Sequence, residues 1–305
     1  MPLFNLSYHN NKSAVHRLNP LVKITWTAGI VLLALLIDHP LLIGMLFIST
    51  VPVAIAAKVY RQWFMFIKLA LWMGVVVVVI NSLASNAGAH VLWQSNIYLP
   101  LIGQINITVE GLAFGVFMAV RLACVISAFA LFSLTVHPDD LLSAMLILKL
   151  PYKTAMVTAL SLRFVPVLVE DAGRISDAHR SRGLELDRGG AIGRIKRRAS
   201  IIFSLLSNSL ERTIQIAEAM EARAFGGSPG RTFYFRLPLK YSERITLIIL
   251  IMVFGLGIFA SFAGLVEFDY YPSLSNFNFS LNGWAIVACL VIGLQIILPL
   301  TWINR

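Results

Sequence analysis

The sequence predicts an all-α polytopic membrane protein of about six transmembrane helices, with a charged block of long amphipathic helices inserted between spans four and five. Two observations carry this prediction. Apolar residues make up 58% of the chain and charged residues only 13%, whereas a soluble domain has roughly 25% charged residues. The charges are also clustered, because residues 135–244 hold 17 of the 25 Lys and Arg and 11 of the 15 Asp and Glu.

Four apolar runs precede the charged block, at residues 21–37, 41–57, 64–80 and 112–134. Each is close to the ~20 residues that a ~30 Å hydrocarbon core requires. A polar stretch separates the third run from the fourth, and its alternation around 105–109 predicts a short hairpin. Arg121 lies inside the fourth run. Because a charge within a span is costly, its side chain either faces protein or water, or extends along the span to the cytoplasmic interface.

Two long helices are predicted within the charged block, one over residues 152–182 with a kink at Pro166 and one from about 196 to 225. The second carries one apolar stripe, formed by Phe203, Leu206, Leu210 and Ile214. These helices are too polar to span a membrane alone and too apolar on one face to stand in water. We therefore expect them to lie against the transmembrane helices and to extend out from them.

Two further apolar runs, at 245–266 and 284–303, close the chain. The three loops that begin at Asp38, Asn81 and Glu267 contain no Lys or Arg. Because cytoplasmic loops carry the excess of basic residues, these loops are expected outside, with both termini and the charged block in the cytoplasm. The predicted domains are a membrane domain of four spans (1–134), a cytoplasmic domain (135–244) and a pair of C-terminal membrane helices (245–305).

A nine-residue pattern occurs twice in the charged block, as DAHRSRGLE from residue 177 and EAMEARAFG from residue 218. Each copy ends a predicted helix and frames one arginine between small residues: Ser181, Arg182 and Gly183 in the first, Ala222, Arg223 and Ala224 in the second. Small neighbours leave a guanidinium free to bind a carboxylate through two hydrogen bonds. A single such arginine complements the helix dipole. Two equivalent arginines indicate two equivalent binding sites, and hence a partner that is present in two copies.

The residue patterns that other kinds of site require are missing from the sequence. Cys124 and Cys289 lie in apolar runs without ligand spacing, and no two histidines pair on one helix face, so neither a metal site nor a cofactor is expected. The glycine-rich phosphate loop of ATP-hydrolysing proteins is absent. We therefore do not expect this chain to hydrolyse ATP itself.

Three alternatives remain open. An integral membrane enzyme would use paired carboxylates, Asp139 with Asp140 and Glu170 with Asp171, although the first pair is also explained as the start of a helix. A secondary transporter would need inverted repeats and ionisable residues near mid-membrane, which the spans lack apart from Arg121. The third alternative is a scaffold without transport.

Four segments, in this order, resemble the transmembrane T component of energy-coupling factor transporters, the family that includes the cobalt-transport transmembrane subunits. They are HPDDL from residue 137, LRFVP from 162, AHRSRG from 178 and AMEARAFG from 219. The resemblance covers roughly residues 1–265. Two tip residues depart from the family's pattern, since Ser181 replaces an Ala and Ala224 replaces the usual Gly.

The resemblance implies a non-catalytic subunit of an ATP-driven importer in the plasma membrane of a prokaryote. Its two arginine tips would dock into two ABC-type ATPase subunits. Its cytoplasmic helices would hold a small membrane-embedded substrate-binding S component against Phe203, Leu206, Leu210 and Ile214, for uptake of a vitamin or a transition metal such as cobalt or nickel. The lipid bilayer is the other expected contact, and no nucleic acid is expected. The resemblance assigns no cargo and no role to the span at 284–303.

Overall fold

A computed structural model of the chain describes residues 13, 15–16, 18–84, 88–99, 103–137, 140–141, 144, 151–183, 190–227, 240–266, 268–271, 288–290 and 292–295. Two compact units are present, a membrane unit (Met1–Leu141 with Pro238–Arg305) and a charged unit (Leu142–Leu237). The membrane unit contains α1 (Pro20–Leu36), α2 (Pro40–Ala56), α3 (Tyr60–Ala84), β1 (Val91–Leu99), β2 (Gly103–Thr108), α4 (Val109–Thr135) and α7 (Tyr241–Phe262). The charged unit contains α5 (Tyr152–Ser181) and α6 (Ala191–Ala222).

The helices of the membrane unit confirm the predicted all-α polytopic fold. Three of them are long and apolar enough to cross a bilayer, over Tyr60–Leu83, Val109–Thr135 and Tyr241–Phe262. Helices α1 and α2 are shorter, at 17 residues each, which corresponds to about 26 Å along the helix axis. Most of the predicted last span, 284–303, lies outside the described residues.

The segment between α3 and α4 forms an antiparallel hairpin. Val91 of β1 pairs with Thr108 of β2, and Leu99 pairs with Gly103. The hairpin predicted around residues 105–109 is therefore confirmed, although Val109 already belongs to α4. Within the described ranges this hairpin is the only sheet.

Two of the membrane helices begin at side-chain caps that are visible in the sequence. The side-chain oxygen of Asn19 accepts a hydrogen bond from the N–H of Leu21 at 3.0 Å, and Pro20 occupies the first turn, where its missing N–H has no consequence. At the start of α4, the hydroxyl of Thr108 accepts from the N–H of Gly111 at 3.1 Å. Each cap satisfies one of the backbone donors that a helix start leaves unpaired.

Helices α3 and α4 form the most extensive helix–helix contact in the membrane unit. Small residues allow this close approach. A Cβ added at Gly115 would lie 3.0 Å from the Cα of Val78, and one added at Gly74 would lie 3.1 Å from the Cβ of Ala119. Close packing through small residues is the usual way that transmembrane helices associate, because lipid tails provide no hydrophobic driving force between them.

Buried charged side chains bind backbone groups where α1, α4 and α7 meet. Lys23 of α1 is 5% exposed, and its ammonium donates to the carbonyl of Thr135, the last residue of α4, at 2.9 Å. The carboxylate of Glu243, also buried, accepts from the N–H of Asn19 at 3.1 Å and from the N–H of Lys240 at 3.0 Å. Each contact satisfies a backbone group at a helix terminus, so these side chains hold three helix ends together.

Arg121 faces protein rather than extending to an interface. Its guanidinium donates to the carbonyl of Ile37 at 2.6 Å and to the carboxylate of Asp38 at 2.7 Å, and it lies 4.6 Å from the centre of the Phe117 ring. The hydroxyl of Tyr270 donates to the carbonyl of Asp38 at 3.0 Å. These contacts select the first of the two interpretations that the sequence left open.

The helices of the charged unit differ slightly from their predicted limits. Helix α5 contains Pro166, where the sequence predicts a kink, and ends at Ser181, one residue before the predicted end. Helix α6 begins at Ala191 and ends at Ala222, five residues before the predicted start and three before the predicted end. The predicted start is too late because a glycine-rich segment such as the one before Lys196 is typical of a linker, whereas its last residues belong to the helix.

Candidate functional site

The first predicted tip lies at the C-terminal end of α5. Arg182 is the capping residue, with φ −85° and ψ 10°, and Gly183 after it is left-handed, with φ +77°. The N–H of Gly183 donates to the carbonyl of Arg180 at 3.0 Å. A Cβ added at Gly183 would meet no atom within 4 Å. Glycine is therefore required here by the backbone angle and not by lack of space.

The second tip, at the end of α6, closes in the same way. Arg223 is the capping residue, with φ −89° and ψ 14°, and Ala224 after it has φ +52°. The N–H of Ala224 donates to the carbonyl of Glu221 at 2.8 Å, and that of Phe225 to the carbonyl of Met220 at 3.0 Å. This pair of bonds is the Schellman motif, which normally places glycine at the left-handed position.

Arg182 and Arg223 thus occupy the same position at the ends of two helices, with backbone angles that agree within a few degrees. All six predicted tip residues are exposed: Ser181, Arg182, Gly183, Ala222, Arg223 and Ala224. The hydroxyl of Ser181 donates a hydrogen bond to the carbonyl of Asp177 at 2.9 Å, so this hydroxyl is paired within its own helix. Among the residues that the structure describes, neither tip guanidinium has a carboxylate partner.

An ion pair joins the two helices that carry the tips. An Nη2 atom of Arg212 on α6 lies 3.1 Å from Oδ2 of Asp171 on α5. The half-buried positions of both helices recur at helical spacing around this pair, at Phe164, Leu168, Ile175 and His179 on α5 and at Ile201, Leu205, Ile216 and Met220 on α6. Each stripe lies on the same helix face as that helix's member of the ion pair, and we call these two faces the seam.

The stripe predicted to contact a membrane partner lies away from this seam. Phe203, Leu206, Leu210 and Ile214 are 70%, 53%, 57% and 59% exposed. Helix α6 therefore has two apolar stripes, one half-buried in the seam and one exposed. An exposed apolar row of this size in water or at a membrane surface marks an interaction face.

Two of the four carboxylates proposed for a membrane enzyme form ion pairs with arginines. Glu170 pairs with Arg174, one turn along the same helix, and Asp171 forms the ion pair with Arg212. Asp140 lies in a different unit, in the helical residues that follow α4, and Asp139 is outside the described residues. In the described part of the chain no three His, Cys, Asp or Glu side chains are close enough to hold a metal ion.

Sequence reasoning missed the ion pair between Asp171 and Arg212. Each tip arginine lies eleven residues after one member of the pair, since Arg182 follows Asp171 and Arg223 follows Arg212 at that spacing. Extending the nine-residue comparison upstream by two helical turns would have revealed an acid and a base at equivalent positions. Opposite charges at equivalent positions of two neighbouring helices are the available signal for such a pair.

Comparison with known proteins identifies the family to which the chain belongs. The family model of the cobalt transport protein CbiQ matches residues 11–234. The energy-coupling factor transporter transmembrane protein EcfT of Streptococcus thermophilus is 30% identical over 256 residues, which cover 81% of this chain and 94% of that protein. The EcfT protein of Acidaminococcus fermentans is 28% identical over 257 residues, covering 82% and 93%. That of Bacillus subtilis is 27% identical over 261 residues, covering 83% and 96%.

The matched region includes the four helices of the N-terminal half and both arginine tips. The relatives are named as membrane components of a transporter and not as enzymes. The helical membrane fold and these matches show that the chain belongs to the CbiQ cobalt transport protein family, as a transmembrane T component of the energy-coupling factor type.

Proposed function

We propose that this chain couples ATP hydrolysis by two partner subunits to substrate uptake through a third. In this proposal the tips at Arg182 and Arg223 insert into grooves on two ABC-type ATPase subunits, which hydrolyse the ATP. This chain is then not an enzyme. In this proposal ATP hydrolysis moves the two tips, and helices α5 and α6 transmit that movement to the membrane-embedded part of the transporter.

One observation carries the proposal. Two arginines, 41 positions apart in the sequence, cap two helices with the same backbone angles and with exposed side chains. An arginine held at a helix end by a left-handed turn presents its guanidinium beyond the helix, where a carboxylate can bind both of its outer nitrogens. Two such ends of matching geometry favour two copies of one partner.

The exposed stripe of α6 supports the second part of the proposal. Phe203, Leu206, Leu210 and Ile214 form an apolar row that the described part of the chain leaves uncovered. We propose that this row contacts a small membrane-embedded S component, which binds the vitamin or transition metal. Motion of the tips would tilt that subunit and open its site inward. The residues that bind the transported substrate would then belong to the S component and not to this chain.

The distribution of charge supports the orientation. We propose that residues 135–244 form a cytoplasmic domain between a four-span membrane domain (1–134) and two C-terminal membrane helices (245–305). Most Lys and Arg residues then lie on the cytoplasmic side, as the bias of basic residues towards cytoplasmic loops requires. Both termini would be cytoplasmic, in the plasma membrane of a prokaryotic cell.

The test is recovery of the ATPase subunits with tagged chain. The chain is co-expressed with the ABC-type ATPases encoded beside it, as wild type, Arg182→Glu, Arg223→Glu and the double variant. We expect each single variant to lose most of the bound ATPase and the double variant to lose nearly all of it. Reversal of the charge places like charges together, which costs several kcal/mol in a desolvated contact.

Arg163→Glu is the matched control, since Arg163 is an exposed arginine on α5 that is distant in sequence from the tip. It should retain the ATPases at the wild-type level. Equal recovery from the wild type and the double variant would show that the tips are ordinary helix ends. Loss of ATPase from the Arg163→Glu control would show a general effect of charge and would also contradict the proposal.

The exposed stripe is tested separately by comparing Phe203→Ala with Ile216→Ala. Phe203 is 70% exposed, whereas Ile216 is half-buried in the seam. We expect Phe203→Ala to reduce recovery of a co-expressed S component while the thermal unfolding temperature stays unchanged. Ile216→Ala should lower the unfolding temperature, because it leaves a void in the seam. The opposite assignment of the two effects would show that the exposed stripe is not the docking face.

A further inference from the structure

The ion pair between Asp171 and Arg212 lies at matching distances from both tips. Eleven residues separate Asp171 from Arg182, and eleven separate Arg212 from Arg223. At the rise of an α-helix, each arm from the pair to its tip is about 16 Å long. The pair is thus the midpoint of a two-armed element whose ends are the predicted docking residues.

The length of the connection between α5 and α6 determines how the two arms are directed. From Arg212, α6 extends back to Ala191 over roughly 31 Å, and α5 extends forward from Asp171 to Arg182 over about 16 Å. The nine peptide units between Arg182 and Ala191 span at most about 32 Å. If the two helices ran in the same direction, this connection would have to cover about 48 Å, which is impossible.

The helices must therefore run in roughly opposite directions past the ion pair. The two tips then point away from each other. With arms of about 16 Å each, the tips lie roughly 25 to 33 Å apart, and the separation is largest when the arms point in opposite directions. A partner that binds both tips at once, in two copies, requires this separation to be stable. Whatever holds α5 against α6 at the crossing point controls it.

Few side chains other than the ion pair can hold the crossing point. In the described part of the charged unit only Ala144 and Ala155 are buried, and neither lies on the arms. Apart from His179, the seam residues are half-buried and apolar, and contacts between apolar side chains have no preferred direction. The Asp171 side chain is 16% exposed and that of Arg212 36%. A charge-assisted hydrogen bond in such a partly buried place has a defined geometry and fixes register.

We infer that the Asp171–Arg212 ion pair is the pivot that holds the two arginine tips at a fixed separation. Neither residue contacts the partner in this inference, so both are positioning residues. The inference rests on the proposed function for its consequence, which is simultaneous docking of two ATPase subunits. Its structural content, a fixed distance between tips, can be measured on the chain alone.

The first experiment measures that distance with spin labels on the full-length chain in lipid nanodiscs. The labels are attached at Asp177→Cys and Glu218→Cys, which are exposed and occupy the first position of each nine-residue pattern. The two native cysteines, Cys124 and Cys289, are replaced by Ala. We expect a narrow distance distribution for the native pair, and a distribution at least twice as wide for Asp171→Asn and for Arg212→Gln.

Two further variants make the result specific to the ion pair. The exchange of Asp171→Arg with Arg212→Asp should restore the narrow distribution, which a loss of folding would not allow. Glu170→Gln is the matched control, because Glu170 is the neighbouring carboxylate and, among the described residues, pairs with Arg174 on the same helix. It should leave the distribution narrow. An unchanged width in both single variants, or an equal broadening in Glu170→Gln, would overturn the inference.

The second experiment measures recovery of co-expressed ATPase from the same variants. Because two linked contacts bind more tightly than one only when their geometry permits both, Asp171→Asn should recover several-fold less ATPase than the wild type, and the exchange variant should restore it. Broadened distances with unchanged recovery would overturn the docking role of the pivot. If Arg182→Glu and Arg223→Glu also leave recovery unchanged, the proposed function itself has failed, while the distance measurement still decides whether the pivot exists.

Discussion

The guanidinium of Arg121 lies 2.7 Å from the carboxylate of Asp38, 83 positions earlier in the chain. At the opposite end of α1, Lys23 binds the carbonyl of Thr135. Lys23 and Ile37 are fourteen residues apart on one chain segment, as are Arg121 and Thr135 on the other. Helices α1 and α4 therefore run antiparallel in register, and the turn after α1 lies level with the middle of α4, where the charged side chain needs a partner.

This relationship predicts different losses of stability at the two ends of the ion pair. Arg121→Leu removes the bonds to both Ile37 and Asp38 and should lower the free energy of unfolding by about 1–3 kcal/mol. Asp38→Asn should cost less than about 1 kcal/mol, because Asp38 is 62% exposed and the bond to the Ile37 carbonyl remains. Thermal unfolding in detergent measures both. Lys68→Gln, an exposed position on α3, is the control, and an equal loss from both variants would contradict the assignment.

The second tip predicts that two neighbouring substitutions have opposite signs. Ala224 has φ +52°, a conformation that costs a residue with a Cβ roughly 1 kcal/mol. Ala224→Gly should therefore raise the free energy of unfolding by about 0.5–1 kcal/mol. Ala222→Gly, two residues earlier and still helical, should lower it by about 0.5–1 kcal/mol. Chemical denaturation followed by circular dichroism measures both, and the same sign for the two variants would refute the left-handed cap.

The contact between α3 and α4 predicts that Gly115 tolerates no larger residue. Its added Cβ would lie 3.0 Å from the Cα and 3.2 Å from the carbonyl oxygen of Val78, and these backbone atoms cannot move without separating the helices. Gly115→Val should cost about 1–3 kcal/mol. Gly255→Val on α7 is the matched control, since a Cβ there would meet no atom within 4 Å. Thermal unfolding of the two variants distinguishes them, and similar unfolding temperatures would show that α3 and α4 are not closely packed.

Two buried histidines at the edges of the helices predict a loss of stability in mild acid. Burial, together with the positive charge of Lys23, lowers the pKa of His16, and burial lowers the pKa of His39. The unfolded chain then binds protons that the folded chain does not, at pH values below about 6.5. The contribution of the two neutral histidines to the free energy of unfolding is therefore fully present above that pH, and it is lost as the pH falls below it. The unfolding temperature of the wild type should decrease between pH 7.5 and 5.5 by more than that of the His16→Asn/His39→Asn variant, and equal decreases would contradict this origin.

The helices and the two tips could be predicted because their signals are local in sequence. An apolar run of about 20 residues has few stable states other than a membrane span. A repeated arginine between small residues is visible without any knowledge of the fold, and the structure places Arg182 and Arg223 at equivalent capping positions. Their exposure follows from the same local feature, since a cap with left-handed geometry ends the helix directly behind them.

The two stripes of α6 show where local signals stop. Helical periodicity predicts the apolar row at Phe203, Leu206, Leu210 and Ile214. It equally predicts the row at Leu205, Ile216 and Met220. Periodicity identifies an apolar face and does not say which neighbour covers it. The structure shows that the second row is half-buried, on the helix face that carries Arg212, and that the first row is exposed. Only the position of α5 makes that distinction.

The sequence by itself determined the class of the protein, the approximate helix limits and the two arginine ends, because hydrophobicity, helix caps and a repeated motif act over a few residues. Tertiary structure alone decided the partner of Arg121, the close approach at Gly115 and the ion pair between Asp171 and Arg212. Each of these joins positions more than 35 residues apart in sequence. Contacts of that kind exist only after the chain has folded, since the helices must already be packed before such side chains can meet.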